Sequence, residues 1–270
     1  MIKHALLELP EDKRDFNLGS LVPKKTDVPL VDFSVGSAEI EDQGETMLCT
    51  MFSSTKACEF MDSIRRTPFY NALKAQQGGA NIFQNGTDLR TALKTFLDFG
   101  ALSVQTAPPD INSMVNWENL PSKFDVIASN LAEKSFLSVS GYNDTFSSIQ
   151  AFLWANKRPV ITGMLWRESW LNNAAIPTSY ENTGSGHAFI WIGQKIINGV
   201  PFLTAQLSNG TAIGDNGLFY FPAEVVNKEC MFGNFAFVDY NKNILKILHN
   251  HGWSLRMVWL AEIFNKLNLQ

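Results

Sequence analysis

The hydrophobic pattern changes period near Lys157, and that change restricts the chain to folds joining a helical half to a strand-rich half. Before it, from position 49 to about 75, Met51, Thr55, Cys58 and Met61 recur on one helical face, with Lys56, Asp62 and Arg66 placed to face water. GGANIFQNG (78–86) reads as a loop, after which Thr87 or Asp88 is positioned to cap a helix through Thr91, Leu93 and Phe96 that ends near Gly100. A loop-like stretch with Pro108, Pro109 and Pro121 precedes one more amphipathic helix, Thr145–Asn156. After Lys157, RPVITGMLW, HAFIWIGQKI, VPFLTAQL and GLFYFP are short β-branched and aromatic runs separated by Gly, Asn and Pro, as strands are. The pattern predicts an α+β fold without internal repeats.

Two flanking segments differ from this body. Residues 1–37, rich in Pro, Lys and Asp, read as an extended arm. The body spans 38–240, helical to about 135 and β-rich from about 136. Residues 241–270 read as an amphipathic helix broken at Gly252, which packs on the body or docks a protein partner.

Composition narrows the function classes. Hydrophobic residues make up 45% of the 270, enough for a sizeable core. Net charge is 22 − 26 = −4 with no long basic run, which argues against a nucleic-acid footprint. The start, MIKHALLELPEDKRDF, has a short apolar patch followed quickly by charges and lacks the core of a signal peptide. No stretch reaches the roughly 18 apolar residues of a membrane span. Three cysteines, Cys49, Cys58 and Cys230, make no disulfide framework and fit a reducing compartment. The expected location is therefore cytoplasmic or virion-associated, and the N-x-[ST] triplets at Asn85, Asn143 and Asn209 read as chance matches.

Of four histidines, only His187 has a setting that suits chemistry: Gly184, Ser185 and Gly186 let a ligand approach, and the apolar run from Ala188 to Ile192 holds the ring still. A His at a strand start is more often structural, and a lone Cys at a helix start is usually a small core residue. Yet Cys49 sits where a polar loop becomes a helix, and helix N-terminal N–H groups favour a thiolate. Gln43, six positions earlier, offers an amide donor for an oxyanion beside the Cys49 backbone N–H.

These segments together resemble papain-like cysteine peptidases. DQGETMLCTMF is similar to the family's DQG…C-x-x-F segment with its Gln-to-Cys spacing kept, and GSGHAFIWIG to its G-x-x-H-A strand through His187, Ala188 and Gly193. LSNGTAIGDNGLFYFP resembles the N-S-W-G-x-x-W-G-x-x-G-Y segment through Ser208, Gly210, Gly214, Asp215, Gly217 and Phe219. QNGTDLRTALKTFLDFG is similar to the N-G-G loop and helix that line one cleft wall, here with Asn85 and Gly86. The resemblance covers about residues 30–240. It implies a two-lobed fold, helical left lobe and barrel-like right lobe, with Cys49 and His187 on opposite cleft walls. It further implies a Cys49 nucleophile, a His187 acid–base, Gln43 at the oxyanion and substrate backbone on Asn85, Gly86 and Gly186. A polypeptide substrate and no metal or organic cofactor follow from it.

Four departures shape the alternatives. The family's His-orienting Asn aligns with Leu207; Asn209, two residues on, stands in only with a local shift, and Gln206 and Ser208 face the other way on a regular strand. The two Trp positions of the hairpin are Asn209 and Ile213, so that aromatic cover over the His is missing. Thr46 replaces a disulfide Cys, and Met47-Leu48 a Gly-Ser. The arm is too short for a typical folded inhibitory prodomain, so no zymogen step is expected. Met164 to Trp170 is expected to add an apolar substrate pocket. The competing readings are an inactive papain-fold binding protein, within a viral or other assembly, and an acyl transferase or amidase using the same intermediate.

Overall fold

The periodic stretch after Cys49 forms two helices, not one. In a computed structural model, which describes residues 6–7, 27–36, 38–113, 120–133, 135–140, 143–167, 169–170, 176–177 and 184–238, helix α1 spans Cys49–Asp62. It stops at Ser63, whose backbone turns left-handed (φ 63°). Helix α2, Pro68–Gln77, restarts behind a Thr67 cap that accepts from Phe69 N, with Pro68 in the first turn where its missing N–H does no harm. The loop expected at 78–86 contains a short helix, α3 (Ile82–Asn85). Asp88 caps α4 (Leu89–Asp98) by accepting from Thr91 N at 2.9 Å. The Pro-containing stretch holds a 3-10 turn, Ile111–Ser113, and α5, Lys123–Ser129. Helix α6 spans Thr145–Asn156 as expected, capped by Asp144.

Of the residues expected to face water along α1, Asp62 does, and Lys56 and Arg66 do not. Lys56 and Arg66 are 4% and 1% exposed. Lys56 Nζ lies 2.6 Å from Glu59 and 3.1 Å from Glu41, and Arg66 is paired with Asp62. A helix surrounded by protein buries its charges only with partners, and the partners come from its own next turn and from the loop before it.

The strands are β1 (Phe33–Ser34), β2 (Ser135–Ser138), β3 (Val160–Trp166), β4 (Ser185–Ile197), β5 (Val200–Gln206), β6 (Leu218–Pro222) and β7 (Asn234–Val238), with α7 (Ala223–Glu229) before the last. They form one antiparallel sheet in the order β2-β7-β3-β4-β5-β6, with β1 added to β4. The expected barrel-like closure is absent: β2 pairs with β7 and β6 with β5, and no ladder joins the two ends among the described residues.

Strand β4 is buried on both faces, which explains its continuous apolar run. Phe189 and Trp191 pack with Phe146, Ile149 and Phe152 of α6, while Ala188, Ile190 and Ile192 pack with α1 residues. The arm joins this sheet. Phe33 and Ser34 pair with Gln194 and Gly193, and the Phe33 ring meets Trp154 edge-on at 5.1 Å. Gly193 permits this, because a Cβ there would lie 2.1 Å from Phe33 O. The expected helical segment 241–270 lies outside the described residues. No helix among them is long and apolar enough to cross a membrane.

Candidate active site

Cys49 is the first residue of α1, behind Leu48, which supplies no side-chain cap. The first-turn N–H groups of α1 are thus directed to the place where the thiol sits, and they favour negative charge there. Helix α1 lies across β4, which carries His187 near its start. Cys49 and Ala188 belong to the same core cluster.

The His187 ring meets Asn209. His187 Nε2 lies 3.1 Å from Asn209 Oδ1, and an amide oxygen only accepts, so Nε2 carries the proton. Nδ1 is then the ring nitrogen that carries no proton in the neutral imidazole. Leu207, in the position aligned with the family's Asn, is instead a core residue packed with the aromatic cluster. The local shift has a visible cause. Strand β5 ends at Gln206, and Asn209 forms an isolated antiparallel bridge with Asp42 rather than continuing the strand.

The same bridge positions Gln43. Gln43 N donates to Ser208 O at 2.8 Å and Gly210 N to Glu41 O at 3.0 Å. The Gln43 amide is held at both ends: Ser208 Oγ donates to Oε1 at 2.6 Å, and Nε2 donates to Thr46 O at 3.0 Å. The amide nitrogen has two protons, so one remains for an oxyanion. Lys56 ties the preceding Glu41 back to α1. Gln43, Asn209 and helix α1 are therefore linked by one short run of backbone and side-chain bonds.

Aromatic cover over His187 is present but comes from β3 and from β4 itself. Trp166 stands edge-on to the imidazole at 5.4 Å and Phe189 is tilted against it at 6.1 Å. Met164, Trp166 and Trp170 are core residues, so the apolar pocket expected from Met164 to Trp170 is filled by the protein itself.

Of the expected substrate wall, Asn85 is exposed at the end of α3 and Gly86 is buried with φ 70°. Gly186 O accepts from Leu6 N at 3.0 Å, and Thr87 O accepts from Leu7 N at 3.4 Å. The arm thus bridges both walls, through residues that sequence reasoning left out; the signal available was the short apolar patch ALLEL. Cys49 and His187 are both fully buried. A cavity of about 500 Å³ lies elsewhere, between Glu39–Asp42, Phe52, Pro68 and Pro108.

The other two thiols are unsuited to nucleophilic work. Burial, with Glu133 beside it, pushes the Cys58 thiol well above its ordinary range, and burial pushes Cys230 up to about 12. None of the three cysteines forms a disulfide. No group of three His, Cys, Asp or Glu side chains among the described residues is placed to hold a metal ion.

No protein-family model matches the sequence, and no curated protein does. Solved structures do match. The chain is similar to xylellain, a cysteine protease from Xylella fastidiosa, at 16% identity and TM-score 0.69 over 87% of this chain and 96% of that one. It is also similar to digestive procathepsin L 3 of Tenebrio molitor larval midgut (15% identity, TM-score 0.63, 84% and 76% covered). A third match is procathepsin B S9 from Trypanosoma congolense (14% identity, TM-score 0.63, 86% and 82% covered). At these identities the likeness is one of fold.

Proposed function

We infer that this chain, which has the papain-like fold, is a cysteine peptidase with Cys49 as nucleophile and His187 as acid–base. The observation that supports this reading most is the 3.1 Å contact from His187 Nε2 to Asn209 Oδ1, made although the aligned Asn is Leu207. That contact fixes the tautomer and aim that proton transfer needs.

In the proposed reaction the Cys49 thiolate attacks a peptide carbonyl carbon, and the C=O electron pair moves onto oxygen. The Gln43 Nε2–H and the Cys49 N–H stabilise that oxyanion. His187 gives its Nδ1 proton to the leaving amine as the C–N bond breaks, leaving a thioester. A water then gives a proton to His187 and attacks the thioester, and the thiolate leaves. The substrate is a polypeptide.

A second reading, an inactive papain-fold binding protein, is favoured by the full burial of Cys49 and His187. The pH profile of iodoacetamide labelling, mapped by mass spectrometry, separates the two. A peptidase requires Cys49 labelling that persists well below pH 8.5, the ordinary thiol midpoint of roughly that value, and that His187→Ala shifts to higher pH. Cys49 labelling that rises only with alkaline pH in both proteins refutes the ion pair. Hydrolysis of a denatured protein substrate, abolished by Cys49→Ala, completes the test.

A further inference from the structure

We propose that the groove of about 500 Å³ on the helical side, beside the loop that leads to Gln43, is the seat of the chain's own C-terminal segment, residues 241–270. The proposal goes beyond the peptidase reading and does not depend on it.

The groove is apolar inside and anionic along one edge. Phe52, Pro68, Phe69, Val104, Pro108 and Ile111 supply its apolar surface. Val104 is 43% exposed, and its N–H donates to the carbonyl of Arg65, whose neighbour Ile64 is 37% exposed. Apolar surface continuous with a groove in this way marks an interaction site. The other edge is the run Glu39–Asp42. Arg65 reaches Glu39 at 3.0 Å and Glu41 at 3.7 Å, and Lys56 is shared by Glu41 and Glu59. Asp42 has no cation partner among the described residues, and Asp62 takes up the charge of Arg66. The edge therefore keeps an excess of negative charge.

Residues 241–270 lie outside the described residues, and their composition is the complement of this groove. Lys242, Lys246, Arg256 and Lys266 against Glu262 give 4 − 1 = +3, in a chain whose total is −4. Ile244, Leu245, Ile247 and Leu248 recur at the spacing of a helical stripe around Lys246. An apolar stripe flanked by lysines matches an apolar groove edged by carboxylates, which is the helix-in-groove mode of recognition.

The chain also leaves the described residues close to this seat. Val238, at the end of β7, lines a smaller cavity together with Asp62 and Arg66, and Arg66 lines the groove as well. The ten residues from 239 to Leu248 span up to roughly 33 Å extended and about 15 Å as a helix, enough to carry the stripe past Arg66. A segment tethered over such a distance acts at an effective concentration of roughly millimolar, so a contact of modest intrinsic affinity stays made. Because the acidic edge runs directly into Gln43, the seated segment braces the loop that holds that amide.

The test uses the full chain. Carbodiimide coupling joins a lysine amine to a carboxylate it touches, and peptide mapping identifies the pair. Lys242 or Lys246 should be linked to Glu39 or Asp42 within one chain, as a mixture of isotopically labelled and unlabelled protein reports. Val104→Lys places a cation on the groove wall at an exposed position and is expected to lower the yield of that link about tenfold, as tenfold weaker seating would. Val200→Lys, the same charge change at the half-exposed β4–β5 hairpin, should leave the yield at the wild-type level. Links that join labelled to unlabelled chains overturn the proposal in favour of a second copy. Pelleting with phosphatidylserine vesicles in place of the links overturns it in favour of a lipid surface. An unchanged yield in Val104→Lys, or no link to Glu39 or Asp42 in the wild type, overturns the groove as the seat. None of these readouts passes through Cys49, so the peptidase reading stands or falls separately.

Discussion

At the scale of single residues, the site depends on two amide side chains whose orientation is fixed by neighbours. Asn209 accepts from His187 through Oδ1, and a hydrogen bond to a group that becomes charged contributes roughly 1.5–3 kcal/mol. Asn209→Ala is therefore expected to lower kcat about 10- to 100-fold with KM little changed, as steady-state peptide hydrolysis would report. Leu207→Asn should not compensate, because Leu207 lies in the aromatic core and faces no imidazole. Gln43 is a subtler case. Flipping its amide would set Oε1 against the Thr46 carbonyl, and Ser208 Oγ adds a second lock at 2.6 Å. Ser208→Ala removes a bond of about 1 kcal/mol, so kcat should fall about fivefold, with KM steady and Ser208→Thr restoring activity. A purely structural Ser208 would lower the melting temperature and leave kcat alone. The placement of Cys49 at a helix start and of His187 near a strand start was legible because local spacing carries it. Asn209 was only half legible: strand parity is a rule about regular strands, and β5 ends three residues before it.

At the scale of elements, helix positions followed from period and caps, and errors occurred where tertiary burial decides. Thr145–Asn156 and the Asp88 cap could be read because Asp, Thr and the apolar spacing are local signals. The polar side drawn for α1 held at Asp62 and failed at Lys56 because the helix is covered by β4 and by α2 up to Glu59, and sequence period alone does not register neighbours. The short strands β2 and β7 were missed for a related reason: SFLS and NFAFV are brief, and it is pairing with each other and with β3 that defines them. Lys56 is the element-scale test. It is 4% exposed and neutralises Glu59 and Glu41, one on its own helix and one on the loop leading to Gln43. Lys56→Met leaves both carboxylates without their ammonium, a loss of about 3–5 kcal/mol. In a chain of this size the melting temperature should fall by roughly 10 °C, read by calorimetry. Adding Glu41→Gln and Glu59→Gln should recover much of that loss, because the cost lies in the unpaired charges and not in the missing lysine.

At the scale of the whole molecule, two half-buried carboxyls, Glu41 and Glu133, make stability depend on pH in a direction opposite to simple acid denaturation, and Asp62 acts against them. Burial raises Glu41 above its ordinary 4.5, and Lys56 beside it offsets this only in part; burial likewise raises Glu133, against the opposing pull of Cys58 and Arg66. Asp62 moves the other way: burial would raise it, but its bonds to Arg66 and to Ile64 N prevail and hold it below 3.8. A raised carboxyl binds its proton more tightly in the folded chain. Its contribution is therefore complete below about 4.5 and fades as pH climbs through the folded value. Asp62 contributes above 3.8 and fades as pH drops through its lower folded value. Together these groups favour the folded state most strongly in mild acid, between the two sets of midpoints. Urea midpoints should accordingly be higher near pH 5 than at pH 7.5, and Glu41→Gln with Glu133→Gln should flatten that difference. An unchanged slope in the double variant would mean that other groups govern it. Glu41 also has a second reach, because it lies two residues before Gln43 and is held to α1 by Lys56. Neutralising it loosens that tie without touching Cys49 or His187. Glu41→Gln should thus flatten the stability profile while lowering kcat only through the oxyanion donor, leaving the pH profile of Cys49 labelling where it was.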